Sequence, residues 1–312
     1  MIGVPVSRLL AVLALQASLI SHASAQTIGL AMPRTDDPFR TVIGGSVEEA
    51  AAAAGLKLVK TDAQNDPGLE VENVRQLIKD GVASLVVLGG DSKAEVEIAR
   101  LARAADVPLV FVNHMPGDGV LGGEVVYVGS NEVESGTLQA EETCRLMGGH
   151  GTAVIMIGEL NHPAARLRTL DVHEVFSRPD CRGIEILEEQ SANWDRAEGK
   201  ALLEAFLDGG LKPDAVIANN DEMALGAIQA AKEAGIKPIV AGIDATDDAL
   251  AAMMAGDLSL SVLQDGRAQG ALGLELARQM AAGKSVDTLN WIPFSLVRSD
   301  DAAALAAKRA QN

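Results

Sequence analysis

Residues 215–231 read AVIANNDEMALGAIQAA, and this stretch decides the fold. An apolar strand (Ala215, Val216, Ile217, Ala218) runs into Asn219, Asn220 and Asp221, and a helix starts at once. The same grammar returns in residues 238–248, PIVAGIDATDD, where a strand delivers Asp244. Amides and a carboxylate therefore stand at the C-terminal ends of two neighbouring buried strands. In open α/β sheets that edge is where ligands bind. These groups form hydrogen bonds rather than attack bonds, which points to a polyhydroxylated ligand that is held and not cut.

Outward from this stretch, strands and helices alternate along the chain. Strands are expected at residues 26–31, 56–60, 85–88, 109–112, 154–157, 184–188 and 258–263, with a short last one at 293–297. Helices are expected at 38–54, 68–80, 93–105, 131–147, 162–176, 194–207 and 270–282. Pro38 suits a first helical turn, where its missing N–H does no harm. Asn131 followed by Glu134 predicts a capping box. The strands are continuous apolar runs, as expected when both faces are covered, so the sheets are parallel and joined by crossover helices. The fold class is α/β, with two similar doubly wound parallel-sheet lobes around a central cleft.

The first residues carry the pattern of an export signal. Arg8 precedes an apolar run, Leu9 to Ile20, and Ala23-Ser24-Ala25 fits a small-residue cleavage site. A cleaved leader over residues 1–25 and a periplasmic location follow as expectations. The run falls short of the ~20 residues that a membrane span needs. The formal net charge of the 312-residue chain is −17, which repels phosphate backbones and argues against nucleic acid as a partner. Two cysteines, Cys144 and Cys181, permit a disulfide in an exported chain, or stand as two buried thiols. A bridge would close a loop of about 37 residues and stabilise by roughly 3–4 kcal/mol in the chain-entropy model.

Candidate binding residues cluster in the strand-to-helix turns. Phe39 in Asp36-Asp37-Pro38-Phe39 and Trp194 in Ala192-Asn193-Trp194-Asp195 place aromatic rings in polar loops. There each ring either stacks on the C–H face of a sugar or packs as a staple on its own helix. Arg168, near a helix start, offers a fork of five donors, while Asp37 and Asp244 can accept. Asn113 and His114 end one strand and Gln264 ends another.

The segments DAQND (62–66), VFVN (110–113), YVGSNEVESG (127–136), GELNHPAARLRT (158–169), NWDRAEG (193–199), IANNDEMALGA (217–227), AGIDAT (241–246) and VLQDG (262–266) together give a resemblance over the whole mature chain. The sequence is similar to the periplasmic monosaccharide-binding proteins of ABC transporters, the ribose and glucose/galactose group. The resemblance implies two lobes joined by three crossings, near Gly129, Asp265 and Ile292. One lobe would be residues 26–129 with 265–292, and the other 130–264 with 293–312. It implies ligand contacts at Asp37, Phe39, Asn113, His114, His162, Arg168, Trp194, Asn220, Asp244 and Gln264. It implies no catalytic residue, no cofactor and no metal. The calcium loop of the hexose group is missing, since Met147-Gly148-Gly149-His150-Gly151 is short and lacks carboxylates.

The resemblance is mixed at the contacts. Ala164 stands where the hexose group has a carboxylate, and Gln264 matches the ribose type. The paired cysteines, ESGTLQAEETC and the IPFSLV ending resemble a subgroup for inositol and related polyols. The implied role is capture of a neutral monosaccharide or cyclic polyol by a monomer that serves a membrane permease. A chemoreceptor as partner is the alternative. A secreted sugar-acting enzyme lacks support, because the chain has no GxSxG elbow, no HExxH and no P-loop. A repressor of this fold would need a basic headpiece, and the leader stands in its place.

Overall fold

The computed structural model describes residues 27–310. The expected leader, with Gln26, lies outside the described residues. The chain begins with β1 (Thr27–Met32), α1 (Pro38–Ala53), β2 (Lys57–Asp62), α2 (Pro67–Lys79), β3 (Ser84–Val87), α3 (Ser92–Ala104), β4 (Leu109–Val112) and β5 (Val125–Gly129). It continues with α4 (Glu132–Met147), β6 (His150–Ile157), α5 (Pro163–Ser177), β7 (Gly183–Ser191), α6 (Arg196–Asp208), β8 (Ala215–Ala218), α7 (Asp221–Glu233), β9 (Ile239–Ala241), α8 (Asp247–Met254) and β10 (Leu260–Leu263). It ends with α9 (Gly266–Ala281), β11 (Leu289–Trp291), β12 (Ser295–Arg298) and α10 (Ser299–Arg309).

Two six-stranded sheets result, ordered β11-β5-β4-β3-β1-β2 and β12-β10-β9-β8-β6-β7. The chain leaves the first sheet after Gly129. It returns to that side through α9, which packs on α1, and leaves again between Trp291 and Ser295. The strand order reverses between β1 and β3 in one sheet and between β6 and β8 in the other. These are the switch points where doubly wound sheets open a crevice. All the ladders are parallel except the last, where β12 runs antiparallel to β10.

The continuous apolar runs are explained by burial on both faces. In β4, Val110 and Val112 point into a core with Ile28, Leu30 and Val47, while Leu109 and Phe111 enter the opposite core with Leu77 and Ile98. In β6, Val154 and Met156 face one core and Ala153 and Ile155 the other. This is the two-residue strand period at work in a sheet covered by helices on both sides. The Cys144–Cys181 disulfide is formed, with Cα atoms 5.7 Å apart, and ties the end of α4 to the turn before β7.

Local structure departs from expectation at three points. Asn131 begins α4 without a side-chain cap; its Nδ2 donates to Glu134 Oε1 at 3.1 Å, so the capping box is not formed. Helix α9 starts at Gly266 rather than Gly270, because Asp265 Oδ1 accepts from Ala268 N at 3.0 Å and caps it earlier. Strand β11 and helix α10 were not expected at all.

Helices α6 and α7 approach closely because each has a glycine at the contact. A Cβ at Gly226 would lie 2.0 Å from the Arg196 carbonyl oxygen and 2.7 Å from Lys200 N. Gly226→Ala should therefore lower the unfolding free energy by about 1–3 kcal/mol, despite the better helix propensity of alanine. Urea denaturation of both proteins measures the difference.

Candidate ligand-binding site

Eight strand ends in two sheets face one another across a chamber of about 40 Å³. The turn after β1 supplies Asp37, Phe39 and Arg40; the turn after β4 supplies Asn113; the start of α4 supplies Glu132. From the second sheet come His162 and Arg168 after β6, Trp194 after β7, Asn220 after β8, Asp244 after β9 and Gln264 after β10. Nine of the ten residues expected at the site thus line it, and Ala164 lies beside them.

Three of these side chains are aimed by unusual backbone. Asn113 (φ 72°), Trp194 (φ 64°) and Asp244 (φ 120°) all lie in the left-handed region. Such conformations cost of order 1–3 kcal/mol each and gather at functional sites. Trp194 also depends on a glycine. A Cβ at Gly158 would fall 2.2 Å from the indole ring, so only glycine lets the ring lie over that turn. The indole Nε1–H is buried and has no acceptor among the described residues.

Arg168 is the centre of the chamber's charge. It is buried, and its Nε donates to Glu132 Oε2 at 2.9 Å, one terminal nitrogen to Asn219 O at 2.7 Å and the other to Gln264 Oε1 at 3.3 Å. Burial works against its charge, but Glu132 and Asp244 outweigh that and raise its pKa. The guanidinium carbon stands 5.7 Å from the Trp194 ring centroid and 5.9 Å from that of Phe294, within cation–π range.

The remaining groups divide their bonding between scaffold and chamber. Asp37 Oδ1 caps α1 by accepting from Arg40 N at 2.8 Å, leaving its second oxygen outside the cap. Asn220 is more committed: Oδ1 accepts from Met223 N and Nδ2 donates to Trp194 O at 3.2 Å, so it holds the Trp194 turn. His162 Nδ1 accepts from Ala164 N at 3.1 Å. Desolvation first, then His114, Arg40 and Arg168, push its pKa well down. It is therefore a neutral imidazole whose other nitrogen carries the proton. Asp244 is buried, and desolvation, with Asp221, Asp37 and Glu132 nearby, raises its pKa well above the usual carboxylate range against the pull of Arg168.

His114 does not line the chamber. Asn113 turns the backbone, and the next side chain enters the interior, where His114 Nδ1 lies 2.5 Å from Glu95 Oε1 and its ring meets His162 edge-on with centroids 4.5 Å apart. It supports a wall residue rather than facing the cavity. Arg40 and Glu132 were not anticipated. Each sits in the first turn of a helix directly after a strand end, and that shared place was the available signal. Behind His114, Glu70 and Glu95 are buried together.

A two-lobed α/β molecule with polar strand ends meeting around one chamber belongs to the class that grips a small solute between its lobes. A profile of the periplasmic binding protein domain matches residues 28–285, and the chain belongs to that family. It is 44% identical over 298 residues to a putative rhizopine-binding protein of Rhizobium meliloti, covering 94% of this chain and 96% of that one. It is 31% identical to a ribose import binding protein of Bacillus subtilis over 86% of each chain. A solved ABC transporter solute-binding protein from Bacillus halodurans with bound myo-inositol matches with a TM-score of 0.86 and 36% identity, over 91% of this chain and 98% of that one.

Burial, with Glu95 nearby, pushes the Glu70 carboxyl from its ordinary 4.5 up to about 7. The folded state therefore holds this proton more tightly than the unfolded chain does. Its contribution is full below about pH 4.5 and falls away as pH rises through 7. Glu70→Gln should remove that loss, so its melting temperature should gain on the parent protein between pH 4.5 and 8. Paired thermal melts across that range measure the gap; a constant difference would refute the assignment.

Proposed function

We propose that the protein is the solute-capturing component of an ABC importer, and that it holds a neutral monosaccharide or cyclic polyol, with myo-inositol the leading candidate. The observation that carries this is the chamber itself. Donors (Arg168, the Trp194 indole and the neutral His162) and acceptors (Asp37, Glu132, Asp244) converge on it from both sheets, with the rings of Phe39 and Trp194 at hand. Two guanidinium groups, Arg40 and Arg168, stand among the carboxyl groups Asp37, Glu132 and Asp244, with burial working against the charged form of Asp244. A site so balanced favours an uncharged ligand. Relatives described as ribose-binding, and a related structure holding myo-inositol, support the same reading.

In this reading the lobes are residues 26–129 with 265–292 and residues 130–264 with 293–312. The leader over 1–25 is removed on export, and the monomer presents its closed form to a membrane permease. No covalent bond changes. Ligand bonds to both lobes exist in full only when the cleft is shut, so binding draws the open–closed equilibrium toward closure. The radius of gyration from small-angle scattering should fall on saturation with ligand, and an unchanged value would count against closure.

A thermal-shift panel of pentoses, hexoses and polyols identifies the solute. At ~100 times its dissociation constant the right one should stabilise by about 2.7 kcal/mol. Trp194→Ala and Asp244→Ala should each abolish that shift in a protein that still melts cooperatively. Retention of the shift by both variants would show that the ligand sits elsewhere.

A further inference from the structure

Beside the inner chamber lies a second and larger one, of about 250 Å³. The two share three walls: Phe39, Asp244 and Gln264. We propose that they form one extended seat, in which a ring held in the inner chamber carries a neutral O-linked second unit, a glycosyl group, into the outer one. This rests on the reading of the inner chamber as a polyol or sugar site.

The outer chamber's lining states the chemistry. One wall is apolar: Pro38 and Val42 of the α1 first turns, together with the ring of Phe39. Val42 is 38% exposed there. The other wall is charged, with Arg196, Arg267 and Arg309 outnumbered by the carboxyl groups of Glu222, Asp244, Asp247, Asp248 and Asp265. Arg196 donates to Glu222 at 2.8 Å and to Asp248 at 2.8 Å. Arg309 donates to the Ala245 carbonyl at 2.6 Å and to Asp247 at 3.0 Å. Arg196 and Arg309 are thus already paired, and with carboxyl groups in excess the wall sets no demand for an anionic ligand. It offers carboxylate and carbonyl oxygens with lone pairs to spare, suited to hydroxyl donors. An apolar floor facing a fixed rim of acceptors suits a sugar unit, which has a C–H face and a hydroxyl edge.

The boundary between the chambers is formed by the Phe39 ring and the polar side chains of Asp244 and Gln264, so a linking oxygen there would pass beside groups able to hydrogen-bond to it. Small-molecule seats usually span about 300–1,000 Å³. The inner chamber alone falls far below that range, and the joined pair approaches its lower edge.

The test is calorimetric titration of the mature protein with two matched pairs: myo-inositol and α-D-galactosyl-myo-inositol, and D-galactose and melibiose. Val42→Trp serves as the discriminating variant, because Val42 is exposed and lines the outer chamber but not the inner one. We expect the wild type to bind a glycosylated probe within about tenfold of its monocyclic partner. Val42→Trp should keep the monocyclic affinity and weaken the glycosylated one at least tenfold. Wild-type binding of a monocyclic probe without either glycosylated probe would overturn the extended seat and leave the importer reading standing. Equal effects of Val42→Trp on both members of a pair would also overturn it. Binding of none of the four would overturn both readings together.

Discussion

Arg168 is the constraint on which the rest of this molecule turns. A buried guanidinium must be paired, and an unpaired one is costlier than almost any packing fault. Its partners come from three segments that are distant in sequence: Glu132 at the start of α4, Asn219 at the end of β8 and Gln264 at the end of β10. Two of those segments are also where the chain passes between sheets, just after Gly129 and just before Gly266. Gln269 acts in parallel from the other side, accepting from Asn113 Nδ2 at 3.3 Å and donating to Ser130 Oγ at 3.1 Å. The groups that line the chamber are thus bonded to the segments in which the chain crosses from one sheet to the other, within one or two hydrogen bonds of Arg168 and Asn113.

The walls of the chamber gain their rigidity from an inner layer of buried polar groups. Asp221 accepts from Ser261 Oγ at 2.7 Å and from Thr246 N at 2.8 Å, and burial raises its pKa to about 7. It fixes the turn that carries Asp244. On the opposite lobe, Glu95 and His114 back the imidazole of His162. Contact residues are therefore supported by buried polar groups outside the chamber lining, in the case of His162 from the opposite lobe. The left-handed backbone is held at Asp244 by this layer, at Trp194 by the Asn220 amide and at Asn113 by the Tyr127 hydroxyl that donates to its carbonyl.

Much of this was legible in the sequence because a strand covered on both faces leaves an unmistakable trace. Strand β4 falls at the expected Leu109–Val112, and β8 at Ala215–Ala218. Polar residues that end such runs had to emerge at the ligand edge, which is why Asp37, Asn113, Asn220 and Asp244 could be named. Charges within a first helical turn gave no such trace. Arg40 and Glu132 look like solvated helix residues until the opposing lobe is in place. His114 misled for a related reason: adjacency to Asn113 says nothing about direction once the backbone turns left-handed. Strand β11 is three residues long with Trp291 half-exposed, and α10 is rich in alanine and aspartate, so neither carries a periodic apolar signal.

Apart from Arg168, in the second turn of α5, the chamber residues stand in a turn or first helical turn that follows a strand, and none stands in a strand interior. The cores that set register and stability lie on the far side of those turns. Exchanges at the rim can therefore alter which solute is retained while the scaffold stays as it was. Such an architecture is free to diversify its selectivity by small steps, each of them survivable, with no need to reinvent the frame that carries it.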